Sequence, residues 1–173
     1  MDSSIAARLQ APVALPAGAP APVDFPPALA TPGGARLAAM LERVPAFDWC
    51  HWGEALARVR LDEVAGALRF APEGCARARL AGTDEAEIVL VGWLPEQAMG
   101  PGAHGESEGI LHILGGRAMA QRMTLSQGTL GLGEARALWA GDQVPIRPEE
   151  PMRLVNPGPG VLVTLHLYAP RLG

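Results

Sequence analysis

The chain contains no lysine; every one of its fourteen basic residues is an arginine. Schiff-base and pyridoxal-type chemistry therefore lack the amine nucleophile they need. Eighteen acidic residues leave a formal charge of -4 at neutral pH, and no basic run stands out. An acidic chain without a basic stripe lacks the electrostatic footprint of a nucleic-acid-binding protein. Cysteine is scarce too. Cys50 and Cys75 give neither a zinc spacing nor a disulfide framework, and read as reduced thiols in a cytoplasm. No uninterrupted apolar run is long enough to span a bilayer. The opening MDSSIAARLQAPVALP puts an acid and prolines where a signal peptide needs unbroken apolar residues. The expectation is a soluble, cytoplasmic protein with neither nucleic acid nor membrane as partner.

What is present suffices for one good-sized core. The chain has 173 residues, 49% of them hydrophobic, which indicates a single globular domain. Residues 12–34 are rich in Ala and Pro, and residues 1–34 read as an extended surface arm, because repeated Pro fixes φ and removes donors. Helical periodicity follows over 35–70. Leu37, Met40, Leu41 and Val44 share a face that ends at Pro45. Asp48 can cap a second helix carrying Trp49, Trp52, Leu56 and Val59, and Asp62 can cap a third with Val64 and Leu68 facing inward. His51, in the second helix, reads as an ordinary, partly exposed helix histidine.

From residue 75 to 173 the pattern is β. Strands are expected over 75–80, 87–94, 108–114, 117–125, 136–139, 152–156 and 161–168. Each is bounded by Gly or Pro, and Gly115-Gly116 suits a type I′ hairpin turn. Short strands at this rhythm indicate an all-β jelly-roll barrel preceded by short helices. The closing run VLVTLHLYAP places Thr164, His166 and Tyr168 on one face and Val163, Leu165 and Leu167 on the other. Alternation alone leaves open which face lines the barrel.

Several stretches carry a resemblance. Trp93 to Gly116, WLPEQAMGPGAHGESEGILHILGG, resembles the first metal motif of a cupin, the double-stranded β-helix barrel. TLHLYAP resembles the closing strand of the cysteine dioxygenase family of thiol dioxygenases, where a Ser-x-His-x-Tyr run lines the site. MRLVN resembles that family's His-Arg-Val-x-Asn stretch, and CARARL its Tyr-x-Arg segment. The resemblance covers roughly the last hundred residues. It implies a pocket that oxidises a thiol to a sulfinic acid at Fe(II) held by three neutral histidines, which leave one face of the metal open.

Carried over residue by residue, the resemblance implies that Arg77 clamps a substrate carboxylate through its guanidinium fork. Tyr168 and His166 match the catalytic Tyr and its orienting His, with Thr164 for Ser. His104 matches one metal histidine. The other two fall on Gly102 and Met152, a bare backbone and a soft thioether that competes poorly for Fe(II). Gly109 takes the place of the family's optional cysteine. Glu106 or Glu108, with His104 and His166, would rebuild a two-histidine, one-carboxylate set. His112 has the opposite parity to Gly109 and is expected to face out of the barrel. Arg77 and Arg79 share parity and could instead form surface ion pairs.

Three readings follow. The first is a cupin that has lost its iron and binds a small thiol or amino-acid-like carboxylate, or only another protein. The second is an active oxygenase with a rearranged ligand set. The third is a structural cupin acting as a homo-oligomer.

Overall fold

A computed structural model describes residues 21–25, 31–45, 47–100, 106–126 and 129–172. Two β-sheets face each other, and helices cover the outside of the larger one. The strands are β1 (Val23–Phe25), β2 (Ala76–Gly82), β3 (Glu87–Trp93), β4 (Ala98–Met99), β5 (Glu108–Gly115), β6 (Arg117–Ser126), β7 (Thr129–Trp139), β8 (Gln143–Ile146), β9 (Met152–Val155) and β10 (Leu162–Ala169). One sheet runs β1-β2-β3-β10-β5-β8 and the other β4-β9-β6-β7. The helices are α1 (Pro32–Leu41), α2 (Trp49–Ala57) and a single turn, α3 (Leu61–Val64).

Both faces of the larger sheet are buried, which explains why alternation in β10 was ambiguous. One apolar cluster joins the helices (Leu37, Trp52, Leu56, Val64) to the sheet's outer face at Ile88, Leu90, Ile110, Leu165 and Leu167. The other lies between the sheets, where Val89, Val91, Trp93 and Leu111 meet Ala118, Leu138, Met152 and Leu154. Thr164, His166 and Tyr168 belong to this inner face and are at most 1% exposed. The polar side of β10 is therefore the inside of the barrel.

Helix starts follow local chemistry. The Thr31 hydroxyl accepts from Gly34 N at 3.0 Å with Pro32 in the first turn, so α1 begins at Pro32, three residues before the periodicity suggests. Asp48 caps α2 as expected, accepting from His51 N at 3.1 Å. Asp62 is not the cap of α3. Arg60 holds that place, its N–H donating to Glu63 at 2.9 Å, while the Asp62 carboxylate pairs with the Arg60 guanidinium.

Three expectations for the strands need correction. The Pro/Ala-rich stretch contains β1, which pairs in parallel with β2 and so adds an edge to the barrel. Gly115-Gly116 is a corner and not a hairpin turn, because β5 and β6 belong to different sheets. Only Gly116 of the pair has a positive φ, of 86°, and a Cβ there would crowd the Val161 carbonyl at 2.5 Å. Finally, β7 starts at Thr129, and β8 was not anticipated. Pro145 in β8 is tolerated because β8 is an edge strand.

Candidate functional site

The inner face of β10 carries a continuous hydrogen-bonded chain. The Trp93 indole N–H donates to Thr164 Oγ1 at 2.9 Å. Thr164 Oγ1 lies 2.7 Å from His166 Nε2, and His166 Nδ1 lies 2.7 Å from the Tyr168 hydroxyl. All four side chains are at most 1% exposed, so each polar atom needs a partner. With Trp93 already donating to the Thr164 oxygen, the hydroxyl proton is used when it points to Nε2. A neutral His166 then carries its proton on Nδ1 and donates it to Tyr168. Burial pushes the Tyr168 phenol well above its ordinary pKa; the Arg77 charge opposes the rise, and Cys75 and Glu87 add to it. Tyr168 thus remains a neutral hydroxyl, held at the oxygen by His166.

Strand register places Arg77 on the same face. Arg77, Val91, Thr164 and Ile113 form one row across β2, β3, β10 and β5, and Arg79, Val89, His166 and Leu111 form the next. Arg77 stands two strand spacings from Thr164, about 10 Å. Its side chain is 18% exposed, and Nε lies 3.2 Å from an Asp24 oxygen, an ion pair not aligned as a hydrogen bond. Arg79 lies 3.8 Å from the buried Glu87, which also accepts from Leu172 N at 2.9 Å. Both arginines therefore make the ion pairs of the plainer reading, and Arg77 also reaches the neighbourhood of Tyr168.

Asn156 pins the end of this wall. Its amide nitrogen donates to the carbonyls of Trp93, Leu94 and Gly160 at 3.3, 3.0 and 2.9 Å, and its oxygen accepts from Gly158 N at 3.0 Å. Neither Trp93 nor Asn156 was given a role from sequence. A buried indole on the inner parity, which must find an acceptor, was the available signal.

The structure separates the other candidates. Met152 points into the barrel, 6% exposed among inner-core residues. His112 pairs with Leu165 on the opposite face, 3% exposed, so it faces outward into a packed interface. Glu108 is exposed and shares parity with Ile110 and His112, and Glu106 is exposed in a turn. Neither is brought to His166. A Cβ at Gly109 would overlap the Leu167 carbonyl, so the strands approach too closely there for a cysteine. His104 and Gly102 lie outside the described residues.

Among the described residues, the donors do not make up a three-histidine Fe(II) centre. Met152 presents a thioether at the position where the resemblance implies an imidazole. Both nitrogens of His166 are engaged by Thr164 and Tyr168, so it has no lone pair free for a metal. Among the described residues, no three His, Cys, Asp or Glu side chains gather as a metal-binding group.

No family model matches the chain, and no curated relative matches it. Among solved structures it is similar to the TT1209 protein of Thermus thermophilus, with a TM-score of 0.54 and 19% identity over 66% of this chain and 100% of that one. It is also similar to an uncharacterized conserved protein with a double-stranded beta-helix domain from Klebsiella pneumoniae subsp. pneumoniae MGH 78578 (TM-score 0.50, 19% identity, 65% of this chain and 84% of that one). A further match is a Cupin 2 conserved barrel domain protein from Salinispora arenicola CNS-205 (TM-score 0.45, 23% identity, 59% and 80%). The fold is a double-stranded β-helix barrel. At these identities the likeness is one of fold, and nothing in it singles out the thiol dioxygenases. Among the described residues, no helix of this chain is long and apolar enough to cross a membrane.

Proposed function

We propose that this cupin binds a small carboxylate- or thiol-bearing molecule inside its barrel without the three-histidine iron centre of the thiol dioxygenases. The observation that carries the reading is the engagement of both His166 nitrogens within the Trp93–Thr164–His166–Tyr168 chain. That chain presents a fixed Tyr168 hydroxyl to a ligand, and the nearby Arg77 supplies positive charge for a carboxylate. The inward thioether of Met152 suits an apolar wall better than a hard cation.

The test combines metal analysis and ligand binding. Protein purified without added metal or chelator should contain far less than one iron per chain, and adding ferrous iron should not raise this. In a thermal-shift screen of short thiol, amino and hydroxy acids, binders should lose affinity in both Arg77→Ala and Tyr168→Phe. Stoichiometric iron in the native chain would sink the metal-free reading and favour an oxygenase with rebuilt ligands. A ligand indifferent to both substitutions would place binding outside this pocket. Replacing Gly102 and Met152 together by His should create iron affinity if the motif has been aligned correctly.

A further inference from the structure

Arg153 is a buried charge that no other described residue neutralises. It lies in β9 between Met152 and Leu154, both of which point into the barrel. Alternation therefore sends Arg153 to the outer face of the smaller sheet. It is nevertheless only 5% exposed, and its Nη1 is sealed from solvent with no hydrogen-bond partner. Among the described residues, no hydrogen bond or ion pair reaches the rest of the guanidinium. Burial draws its pKa below the ordinary value, yet a guanidinium stays charged in a protein. An isolated buried charge is costly, and native structures pair such charges.

The chain has little to pair it with. Of its eighteen acidic residues, only Asp2 lies outside the described residues, and none of the others reaches Arg153. Across the sheet, Arg153 pairs with Gln121 and Gln121 with Ala135, while Val155, Met119 and Ala137 fill the row beside them. These neighbours offer one amide and no carboxylate. On the other flank stands Gly100. Met99 pairs with Leu154, so the next residue falls opposite Arg153, and residues opposite each other project to the same face. A Cβ at Gly100 would meet no atom within 4 Å. The guanidinium therefore has room beside it, on its own face of the sheet.

We propose that Arg153 and the space over Gly100 form a site for the carboxylate of a small organic acid, with the Gln121 amide as a second donor. One guanidinium balances one negative charge, and its fork matches the two oxygens of a carboxylate. A phosphate would leave its second charge unmatched, since the neighbouring Arg122 is committed to Glu150. The smaller sheet separates this site from the Tyr168 chain, so the two do not depend on each other.

Urea denaturation in sodium propionate, against sodium chloride of equal ionic strength, tests this. The native midpoint should rise with propionate and saturate, with a dissociation constant of about 1–10 mM. Propionamide, which has the same shape without the charge, should have no effect. Arg153→Met should abolish the propionate response. In chloride alone it should be no less stable than the native chain, because the unpaired charge is gone. Gly100→Val should fill the adjoining space and weaken propionate binding about tenfold or more. Arg77→Ala should keep the response, which separates this site from the barrel interior. A native midpoint indifferent to propionate would overturn the proposal, as would a response retained in full by Arg153→Met or by Gly100→Val. Marked destabilisation of Arg153→Met in chloride would overturn it too, by showing that the chain itself satisfies the charge. N-acetylglutamate α-amide carries the same carboxylate on a peptide unit, and tighter binding of it than of propionate would overturn the small acid in favour of an acidic side chain of a partner.

Discussion

Thr164 occupies the middle of the buried chain, so removing its hydroxyl takes a hydrogen bond from two buried polar atoms at once. Thr164→Val keeps the shape but removes the Thr164 partner of the Trp93 N–H and of His166 Nε2. The expected cost is about 2–4 kcal/mol, from two buried groups losing a partner at about 1–3 kcal/mol each and some relaxation. Thr164→Ser should lose much less, and chemical denaturation of the pair measures the difference. If Val were tolerated as well as Ser, the hydroxyl would be incidental to the wall. The two cysteines give a second contrast. Burial pushes the Cys75 thiol up to about 12 despite the opposing Arg77 charge, whereas Cys50 is exposed. The thiolate is the reactive species, so a maleimide at neutral pH should label Cys50 alone, with Cys75 following on unfolding. Mass spectrometry of labelled peptides reads this directly.

β1 shows how an element can alter a site it does not line. This three-residue strand brings Asp24 to Arg77 in parallel register, placing a carboxylate of the chain itself where a ligand carboxylate would compete for the same guanidinium. Asp24 is 71% exposed and Arg77 only 18%, so the pair contributes little stability but sets how much of the Arg77 charge stays uncompensated. Asp24→Asn is expected to leave the melting temperature nearly unchanged and to tighten binding of a carboxylate ligand several-fold, read by calorimetry. Unchanged affinity would mean that Arg77 serves β1 alone. The sequence hid β1 because Pro and Ala dominate its surroundings, and it hid the first half of β7 because Gly131 and Gly133 mimic a loop. It was legible where side chains alternate or repeat, as in β3, β5, β6 and β10, whose ends fall within a residue of expectation. The shared face of Thr164, His166 and Tyr168 was legible for the same reason, whereas Met152 was placed only by the resemblance. The hydrogen bonds from Trp93 to Thr164 and from Asn156 to Trp93 and Leu94 were not legible, since they join residues more than sixty positions apart.

At the scale of the molecule, the helices, the larger sheet and the smaller sheet form three layers, and the Trp93–Thr164–His166–Tyr168 chain lies between the second and third. His112 lies between the first and second, on the outer face of β5 beneath the helical layer. Its Nδ1 is sealed from solvent without a hydrogen-bond partner among the described residues, and burial holds its pKa below the usual 6.5, with the Asp142 backbone working the other way. The sign of the consequence follows from linkage. The folded state keeps the ring neutral, while the unfolded chain takes up a proton near pH 6.5, so the unfolded state binds more protons as the solution is acidified. Stability from this group is complete above about pH 6.5 and declines as pH falls towards the folded value, by at most about 1.4 kcal/mol per pH unit. The Arg36–Glu63 pair acts in a separate window, since hydrogen bonding to Arg36 lowers Glu63 from 4.5 to about 2. Denaturation midpoints followed from pH 7.5 to 5 should therefore fall in the native chain and stay flatter in His112→Leu. The same fall in both would assign the acid sensitivity elsewhere. Because the affected contact is the seat of the helices on the outer face of the sheet, the loss should appear first as faster hydrogen exchange in α2 and β5, with β6 and β9 still protected.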